Sequence, residues 1–467
     1  MKTILAGYNI EAEKIKEIEG LVTPEVISAA YARISRSKKS VTELREKSRI
    51  EVKKARKSNE SIIFDMGHSS IAEHAVFNFD ILGISRYMSE WLQKSRLASF
   101  TEKSQRYVTL KGDFVIPAEI KNSKLKEEYI HTVNQLTNLY VILYNKAKDS
   151  LSINDFDGSK KLLQGRAKED ARYILPLSTE TQMGMTINAR SIENLLKRLD
   201  KSNLEEAHRI KESLEKQVKK IAPSLIRYTK SDEFTKKRIS LPEIRMDENS
   251  AQVKLISITN NAEVKIIEQY FLQEKGILPS QNKAVIDSLK NEDKIEIFSN
   301  IFAGMKSYHT LPKPFEIVEV EYELTMSSSC FAQLKRHRMS TIIRSKYNPD
   351  FGYVIPPLIE NLYLNSQIDE MMKKVEKMYY KLEAKKEGLG NYIMTNSHKL
   401  RVYFKANLRE IFHFVRLRSD SHAQWEIRQL SDEMVAQIKF NLPIIGKYFV
   451  GKNEFNKQKE NENYEKT

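Results

Sequence analysis

The sequence predicts an α+β fold built from two tandem copies of one domain. A strand, a helix and a basic motif follow one another twice, and an amphipathic helix that opens with Asn-x-Arg also occurs twice. The matched positions lie 242 residues apart for the basic motif (Arg96 to Arg338) and 219 apart for the helix (Asn188 to Asn407). Two similar offsets in the same order indicate an internal duplication. The segment between the basic motif and the helix has a different length in the two copies.

The first strand is predicted at residues 76–82, because apolar and polar side chains alternate through VFNFDIL. A helix is predicted directly after it, where apolar side chains recur at i, i+4, i+7 and i+8: Ile84, Met88, Trp91 and Leu92. The basic stretch Lys94-Ser95-Arg96 follows this helix.

The second copy repeats this plan at residues 317–324, where IVEVEYEL alternates in the same way. The serines at 327–329 offer an N-cap for a helix that ends in Arg336-His337-Arg338. Residues 254–257 (KLIS) are predicted to mirror the opening strand KTILAG.

The second repeated pair is helical. Residues 188–199 and residues 407–418 both begin with Asn-x-Arg and continue as amphipathic helices. Together these marks predict a first copy at 1–230, a linker at 231–250, a second copy at 251–451 and a disordered tail at 452–467.

Composition narrows the class of partner. The chain has 467 residues, a net charge of +15 and one cysteine, Cys330, which excludes an internal disulfide and a cysteine-cluster metal site. The charge favours anionic partners: nucleic acid, an anionic membrane surface or phosphate-rich cofactors. No apolar run approaches the ~18 residues of a membrane helix, so we expect a soluble, cytoplasmic protein.

Residues 68–107 contain a distinctive string: His-x-x-x-x-Glu-His from His68, then a loop with Glu102, Ser104, Arg106 and Tyr107. This string, FAQLKRHR at 331–338 and HAQWEIR at 422–428 resemble the motifs of the flavin-dependent thymidylate synthases. The resemblance covers roughly 40–110, 160–225, 310–345 and 390–445. It implies a mixed β-sheet with packed helices in each copy.

The resemblance also implies roles for individual residues. It makes Ser104 and Arg418 catalytic. The residues implied to hold the nucleotide are Glu102, Ser104, Arg106, Arg172, Gln333 and Arg418. Those implied to hold the flavin are His68, Asn188, Arg190, Asn194, Arg336, His337, Arg338, Asn407 and Arg409. No metal is implied.

Each copy departs from the family pattern in a different place. The first copy keeps the Ser104 loop but has Lys94, Ser95 and Arg96 at the triplet, and Leu199 where the family has arginine. The second copy keeps the triplet and Arg418, but its loop MSTIIRSKYNP is shortened and altered, with Lys346 in place of the serine. It also has Asn391 at the place of Arg172 and His413 at the place of Asn194.

The family makes dTMP from dUMP with FAD, NADPH and methylenetetrahydrofolate, without a cysteine nucleophile, so the resemblance implies a flavoprotein methyltransferase. Because family members are tetramers, a tandem chain is expected to form a homodimer, a pseudo-tetramer. We expect the first copy to supply the nucleotide loop and the second the flavin triplet. Two alternatives stay open: a flavin methyltransferase for another pyrimidine nucleotide, and a nonenzymatic nucleotide- or RNA-binding protein, although no aromatic–basic stripe favours nucleic acid.

Local explanations also exist for several of these residues. Cations at a helix C-terminus are favoured by the helix dipole, which alone would account for the Arg336-His337-Arg338 triplet. Ser104 has the character of a turn serine, and Arg409 that of a solvated helix face. His68 and His74 form a weak candidate metal pair. The order of the elements, seen twice, favours the flavin interpretation.

Overall fold

A computed structural model describes residues 1–10, 23–34, 41–65, 68–106, 108, 112–237, 239–242 and 251–457. The chain forms two compact units. The first unit contains residues 1–244 and 355–396, and the second contains residues 245–354 and 397–467. The first division between the units, at 244/245, lies inside the segment predicted as a linker, and residues 355–396, predicted to belong to the second copy, fold with the first unit.

Each unit contains one four-stranded sheet. The strands of the first unit are β1 Lys2–Tyr8, β2 Val76–Ser85, β3 Ala98–Glu102 and β4 Glu180–Asn188. Those of the second unit are β5 Val253–Ile258, β6 Glu319–Ser327, β7 Thr341–Arg344 and β8 Lys399–Asn407. The predicted strand at 254–257 is thereby confirmed as β5.

Helices surround both sheets. The first nine belong to the first unit: α1 Glu25–Ile34, α2 Val41–Ile50, α3 Val52–Glu60, α4 Arg86–Leu92, α5 Leu125–Ser150, α6 Lys160–Ala171, α7 Ala189–Asp200, α8 Glu205–Ile221 and α9 Glu233–Lys236. Two later helices also belong to it: α14 Pro357–Glu360 and α15 Asn365–Lys385. The second unit has α10 Ala262–Lys275, α11 Pro279–Ser288, α12 Asn291–Phe302, α13 Ser328–Leu334, α16 Leu408–Arg418 and α17 Trp425–Asn441.

The two sheets have the same topology. Their strand orders are β1-β2-β4-β3 and β5-β6-β8-β7. Every pairing among the described strands is antiparallel, so the α+β class is confirmed but the mixed sheet that the resemblance implied is wrong. The first strand of each sheet carries a bulge at the same place, between Leu5 and Gly7 in β1 and between Leu255 and Ser257 in β5.

Alternation in the central strands builds the core. Phe77, Phe79 and Ile81 of β2 are buried, while the polar residues between them face outward. Strand β6 buries Val320, Tyr322, Leu324 and Met326 in the same way. An antiparallel sheet with one covered face requires this pattern, which is why both strands could be predicted from sequence.

The helix after each central strand begins at a serine cap. Ser85 Oγ accepts the Met88 N–H at 3.0 Å, and Ser327 Oγ accepts the Cys330 N–H at 3.0 Å. The cap predicted in the serine run is thus Ser327. Ile84, predicted to start the first helix, instead belongs to β2, because a buried strand and a buried helix face carry the same apolar signal.

Long-range side-chain contacts also occur in pairs. The Leu5 N–H donates to Gln217 Oε1 of α8 at 2.5 Å, and the Leu255 N–H donates to Gln437 Oε1 of α17 at 2.7 Å. Both contacts lie beside the strand bulge. The two units therefore share fine structure as well as strand order.

Residues 355–396 join the first unit through backbone and side-chain contacts. Helix α15 packs along α5, where Lys381 forms an ion pair with Glu128. The Leu177 N–H donates to Met394 O at 2.7 Å, and the Ser178 N–H donates to Tyr392 O at 2.9 Å.

The linker and the tail contain more structure than predicted. Helix α9 lies inside the predicted linker, whereas 238 and 243–250 are outside the described residues. Residues 452–457 of the predicted disordered tail are helical and bury Phe455, and 458–467 are outside the described residues. In the described part of the chain, no helix is long and apolar enough to cross a membrane.

Candidate functional site

The loop after β3 carries the predicted nucleotide residues of the first unit. Glu102 ends the strand, and Ser104 Oγ accepts the Arg106 N–H at 3.2 Å, so the serine shapes the turn. The Arg106 guanidinium pairs through Nε with Glu169 of α6. Tyr107, which completes the motif, lies outside the described residues. The structure thus brings the loop and the end of α6 together.

Arg172 lies directly after α6 and is 4% exposed. Its Nε donates to Glu169 O at 3.2 Å, but its Nη2 has no hydrogen-bond partner among the described residues. The pKa of Arg172 is lowered to about 10, mainly by burial and in smaller part by the positive charges of Arg86 and Arg106. The group stays protonated at neutral pH, so a buried N–H remains available to an anion.

Arg86 is a member of this cluster that sequence reasoning missed. It opens α4, and its Nη1 pairs with Glu102 Oε1 at 3.0 Å. Gln93 Nε2 donates to the other Glu102 oxygen at 2.8 Å. The Arg86 Nε is buried and, within the described ranges, has no partner. A single arginine at a helix start gives no periodic sequence pattern, which explains why Arg86 was not among the predicted site residues.

The predicted flavin residues of the first unit have local roles. Asn188 caps α7, because its Oδ1 accepts the Ser191 N–H at 2.8 Å. Arg190 pairs with Glu73 Oε1 at 2.6 Å. His68 and Asn194 are exposed, the first at the start of the 3₁₀ turn that contains Glu73 and the second on α7. The ion pair of Arg190 with Glu73 joins the start of α7 to the His-x-x-x-x-Glu-His segment.

The basic triplet of the second unit follows α13. Gln333 is buried in that helix, and His337 is 4% exposed. Arg336 and Arg338 are exposed on either side of the buried histidine. The triplet therefore consists of one buried imidazole, that of His337, and two arginines at the surface.

His337 links a carboxylate to an arginine. Its Nδ1 lies 3.1 Å from Glu410 Oε1, and its Nε2 lies 3.0 Å from Arg418 Nε. The Arg418 Nη2 also donates to Gln333 O at 3.3 Å. The structure therefore brings together Gln333, His337 and Arg418 and adds Glu410, which sequence reasoning missed. Its signal was the acidic residue directly after Asn407-x-Arg409.

The environment of His337 favours the neutral imidazole. Burial lowers the pKa of His337, the contact with Glu410 opposes this shift, and the Arg418 and His413 side chains lower the pKa further. Phe414 packs against the ring with a centroid separation of 4.8 Å. A neutral histidine has one donor and one acceptor nitrogen, which matches its two neighbours.

The Asn-x-Arg residues of the second unit repeat the arrangement of the first. Asn407 Oδ1 accepts the Glu410 N–H at 2.9 Å and so caps α16. Arg409 pairs with Glu316 Oε1 at 2.6 Å, as Arg190 does with Glu73. Both glutamates precede a central strand by three residues, which aligns the two copies here as well.

Comparison with known proteins agrees with this repeated arrangement. The sequence model of the thymidylate synthase complementing protein family matches residues 18–224 and residues 254–444. The chain belongs to this family. The resemblance inferred from the motifs is confirmed, and the matched segments begin before the motifs of each copy and include the residues between them.

Relatives of two kinds match the chain. A UPF0159 protein of Thermoplasma acidophilum is 26% identical over 427 residues, which cover 81% of this chain and 85% of that protein. A flavin-dependent thymidylate synthase of Clostridium tetani is 29% identical over 220 residues, covering 46% of this chain and 86% of that protein. The solved structure of a UMP/dUMP methylase from Streptomyces cacaoi bound with 5-Br dUMP matches with 14% identity and a TM-score of 0.34, over 42% of this chain and 93% of that chain.

Within this family member, the first unit has a changed version of the histidine–arginine contact. Ser95, at the place of His337, accepts a hydrogen bond from Arg198 Nη2 at 2.8 Å. Leu199, at the place of Arg418, is fully buried. An arginine one residue earlier thus reaches the triplet position, and burial lowers its pKa to about 10.

The loop of the second unit differs from that of the first unit in residues rather than in length near the sheet. Arg344 pairs with Val402 as Glu102 pairs with Met183, which are equivalent register positions. The number of residues from the triplet to this register position is therefore the same in the two units, and the shortening expected in the second unit is wrong up to Arg344. By the count of seven residues after Arg338, Lys346 falls at the serine place.

Proposed function

We propose that this chain methylates dUMP to dTMP as an FAD-dependent enzyme, with methylenetetrahydrofolate and NADPH as co-substrates. The observation that carries the proposal is Arg172: its guanidinium is buried, charged and lacks a partner for Nη2 among the described residues. Burying such a group costs free energy unless an acceptor completes it. A nucleotide phosphate supplies acceptors of the matching geometry.

The neighbouring groups favour the same ligand. Arg106 and Arg86 add positive charge beside Arg172, and Ser104 places a hydroxyl on the same loop. In the second unit, Arg418 donates through Nε to His337 and through Nη2 to Gln333 O, and an arginine guanidinium carries a positive charge that suits a phosphate. We assign Glu102, Ser104, Arg106, Arg172, Gln333 and Arg418 to the nucleotide.

The side chains also fit a flavin cofactor. Arg336 and Arg338 present surface cations suited to a pyrophosphate. We assign to FAD the remaining predicted residues His68, Asn188, Arg190, Asn194, His337, Asn407 and Arg409 together with this pair. When bound, FAD supplies the redox chemistry, and the protein supplies position and charge.

The lone cysteine supports a route without a thiol nucleophile. Cys330 is completely buried in α13, with its N–H bound to the cap at Ser327. A nucleophilic thiolate needs exposure and a positive neighbour, whereas a buried thiol behaves as a small apolar group. The protein's own contribution to activating the pyrimidine is therefore position and charge, beside the redox chemistry that FAD supplies.

The decisive experiment is the visible absorption spectrum of the purified protein, followed by titration with dUMP. We expect a flavin spectrum that changes when dUMP is added, and dTMP formation when methylenetetrahydrofolate and NADPH are present. A flavin signal that responds to another pyrimidine nucleotide but not to dUMP would identify a different methyl acceptor. A colourless protein that ignores added FAD, and binds RNA with an affinity that falls steeply with salt, would replace the enzyme with a nucleic-acid-binding protein.

A further inference from the structure

Glu410 occupies a constrained place at the start of α16. Its N–H donates to the Asn407 cap at 2.9 Å, which holds the residue in the first helical turn. A carboxylate is favoured there by the helix dipole. The side chain is 11% exposed and places Oε1 3.1 Å from His337 Nδ1. The backbone contact fixes the position of Glu410 in the helix, and the side chain then reaches the imidazole.

The protonation of His337 follows from its two partners. An arginine only donates hydrogen bonds, so the 3.0 Å contact with Arg418 Nε requires a lone pair on His337 Nε2. The proton of the neutral ring must then be on Nδ1, where it is donated to Glu410. The partner of one ring nitrogen sets the state of the other.

We propose that Glu410 is a positioning residue that fixes His337 as the Nδ1–H tautomer and thereby holds Arg418 in place. The importance of this role for catalysis rests on the proposed function, in which Arg418 faces the nucleotide. Without Glu410, the opposite tautomer would present an N–H to the Arg418 N–H, and the two donors would repel each other. Through the histidine, Glu410 thus contributes to the orientation of the arginine, beside the contact of Arg418 Nη2 with Gln333 O.

The first unit gives an internal comparison. The place of Glu410 is held by Ser191, that of His337 by Ser95, and that of Arg418 by Leu199. All three members are absent together in one copy and present together in the other. Loss as a group is expected of side chains that act through one another.

The first test needs no ligand. Histidine-selective ¹⁵N NMR of the full chain, with the His337 signals assigned through His337→Gln, reports which ring nitrogen carries the proton. We expect the Nδ1–H form in the wild-type protein and a mixture of tautomers in Glu410→Gln. Glu433→Gln is the matched control, because it removes one carboxylate from α17 of the same unit, where Glu433 contacts Gln429. An Nε2–H tautomer in the wild type would overturn the proposal, whatever the variants do.

The second test follows Arg418. Its Nε–H signal should be protected from exchange in the wild type and in Glu433→Gln, and lose protection in Glu410→Gln. In the same variant the dissociation constant of dUMP should rise about tenfold, the equivalent of one charge-assisted hydrogen bond. An unchanged tautomer, unchanged protection or unchanged affinity in Glu410→Gln would each contradict the positioning role. If the wild-type protein binds no dUMP, the proposed function fails, and the tautomer and the Arg418 signal still decide the role of Glu410.

Discussion

Arg172 shows how a single residue can be costly for the fold and useful for a ligand. Its guanidinium is buried, and Nη2 lacks an acceptor in the described part of the chain. Glu169 already forms ion pairs with Arg106 and Arg166, so its negative charge is balanced without Arg172. A group of this kind raises the free energy of the native state unless something completes it.

Replacing Arg172 with glutamine should therefore change binding and stability differently. We expect the dissociation constant of dUMP in Arg172→Gln to rise tenfold or more, since a hydrogen bond to a charged group contributes about 1.5–3 kcal/mol. The free energy of unfolding should stay the same or rise, because a buried charge is removed. Calorimetric titration and chemical denaturation measure the two quantities.

Arg209→Gln is the control for this prediction, because Arg209 is a half-exposed member of an ion pair with Glu205 on α8. It should leave the affinity for dUMP unchanged. A destabilised Arg172→Gln protein with wild-type affinity would assign Arg172 to the fold instead of to the nucleotide.

At the scale of elements, a buried carboxylate ties the helix after each central strand to a later helix. Glu206 of α8 accepts the Ser85 N–H at 2.7 Å and its hydroxyl at 2.8 Å. Glu426 of α17 makes the same two contacts with Ser327. Each serine therefore caps its own helix and also satisfies a buried glutamate. This double use fixes where the helix starts and hence where the following triplet position lies.

Removing that serine should cost more than removing an ordinary cap. We expect Ser327→Ala to lower the free energy of unfolding by about 2–4 kcal/mol, because it loses a cap and leaves the Glu426 carboxylate short of a donor. Ser159→Ala, at the near-surface cap of α6, should cost about 1 kcal/mol. Chemical denaturation, with hydrogen exchange of α13, measures the difference. Equal losses in both variants would mean that the Glu426 contact adds nothing.

At the scale of the whole molecule, the two units keep different parts of the family pattern. The first unit retains the Ser104 loop and Arg172, and the second retains the triplet and Arg418. The same strand order supports both sets of residues, so divergence has changed side chains more than architecture. The homodimer implied by the resemblance stays a prediction, as does the division of labour between the copies.

If that division is correct, single changes in either unit should stop the reaction. We expect Ser104→Ala and Arg418→Ala each to abolish dTMP formation, and the double variant to be no worse than either, because residues that act as one unit are not additive. Ser99→Ala, an exposed position on β3, should keep wild-type turnover. Steady-state assay of dTMP checks all four proteins. Full activity in either single variant would show that the copies do not share one reaction.

The sequence determined the features that depend on short-range pattern. Alternation identified β2 and β6, the serine run identified the cap of α13, and the order of the motifs identified two copies and their family. These features could be predicted because side-chain periodicity and capping act over a few residues. The antiparallel direction of every described strand pair could not be predicted in this way, because strand direction depends on partners distant in sequence.

Only the tertiary structure decided which distant side chains meet. It placed residues 355–396 in the first unit, buried His337 between Glu410 and Arg418, and left the Arg172 Nη2 without a described partner. It also showed that residues 452–457 are helical. Phe455 is buried there, which the polar sequence around it does not predict. Burial and long-range pairing are properties of packing among elements. No local pattern encodes them, and the proposed roles of Arg172 and Glu410 arise at this level.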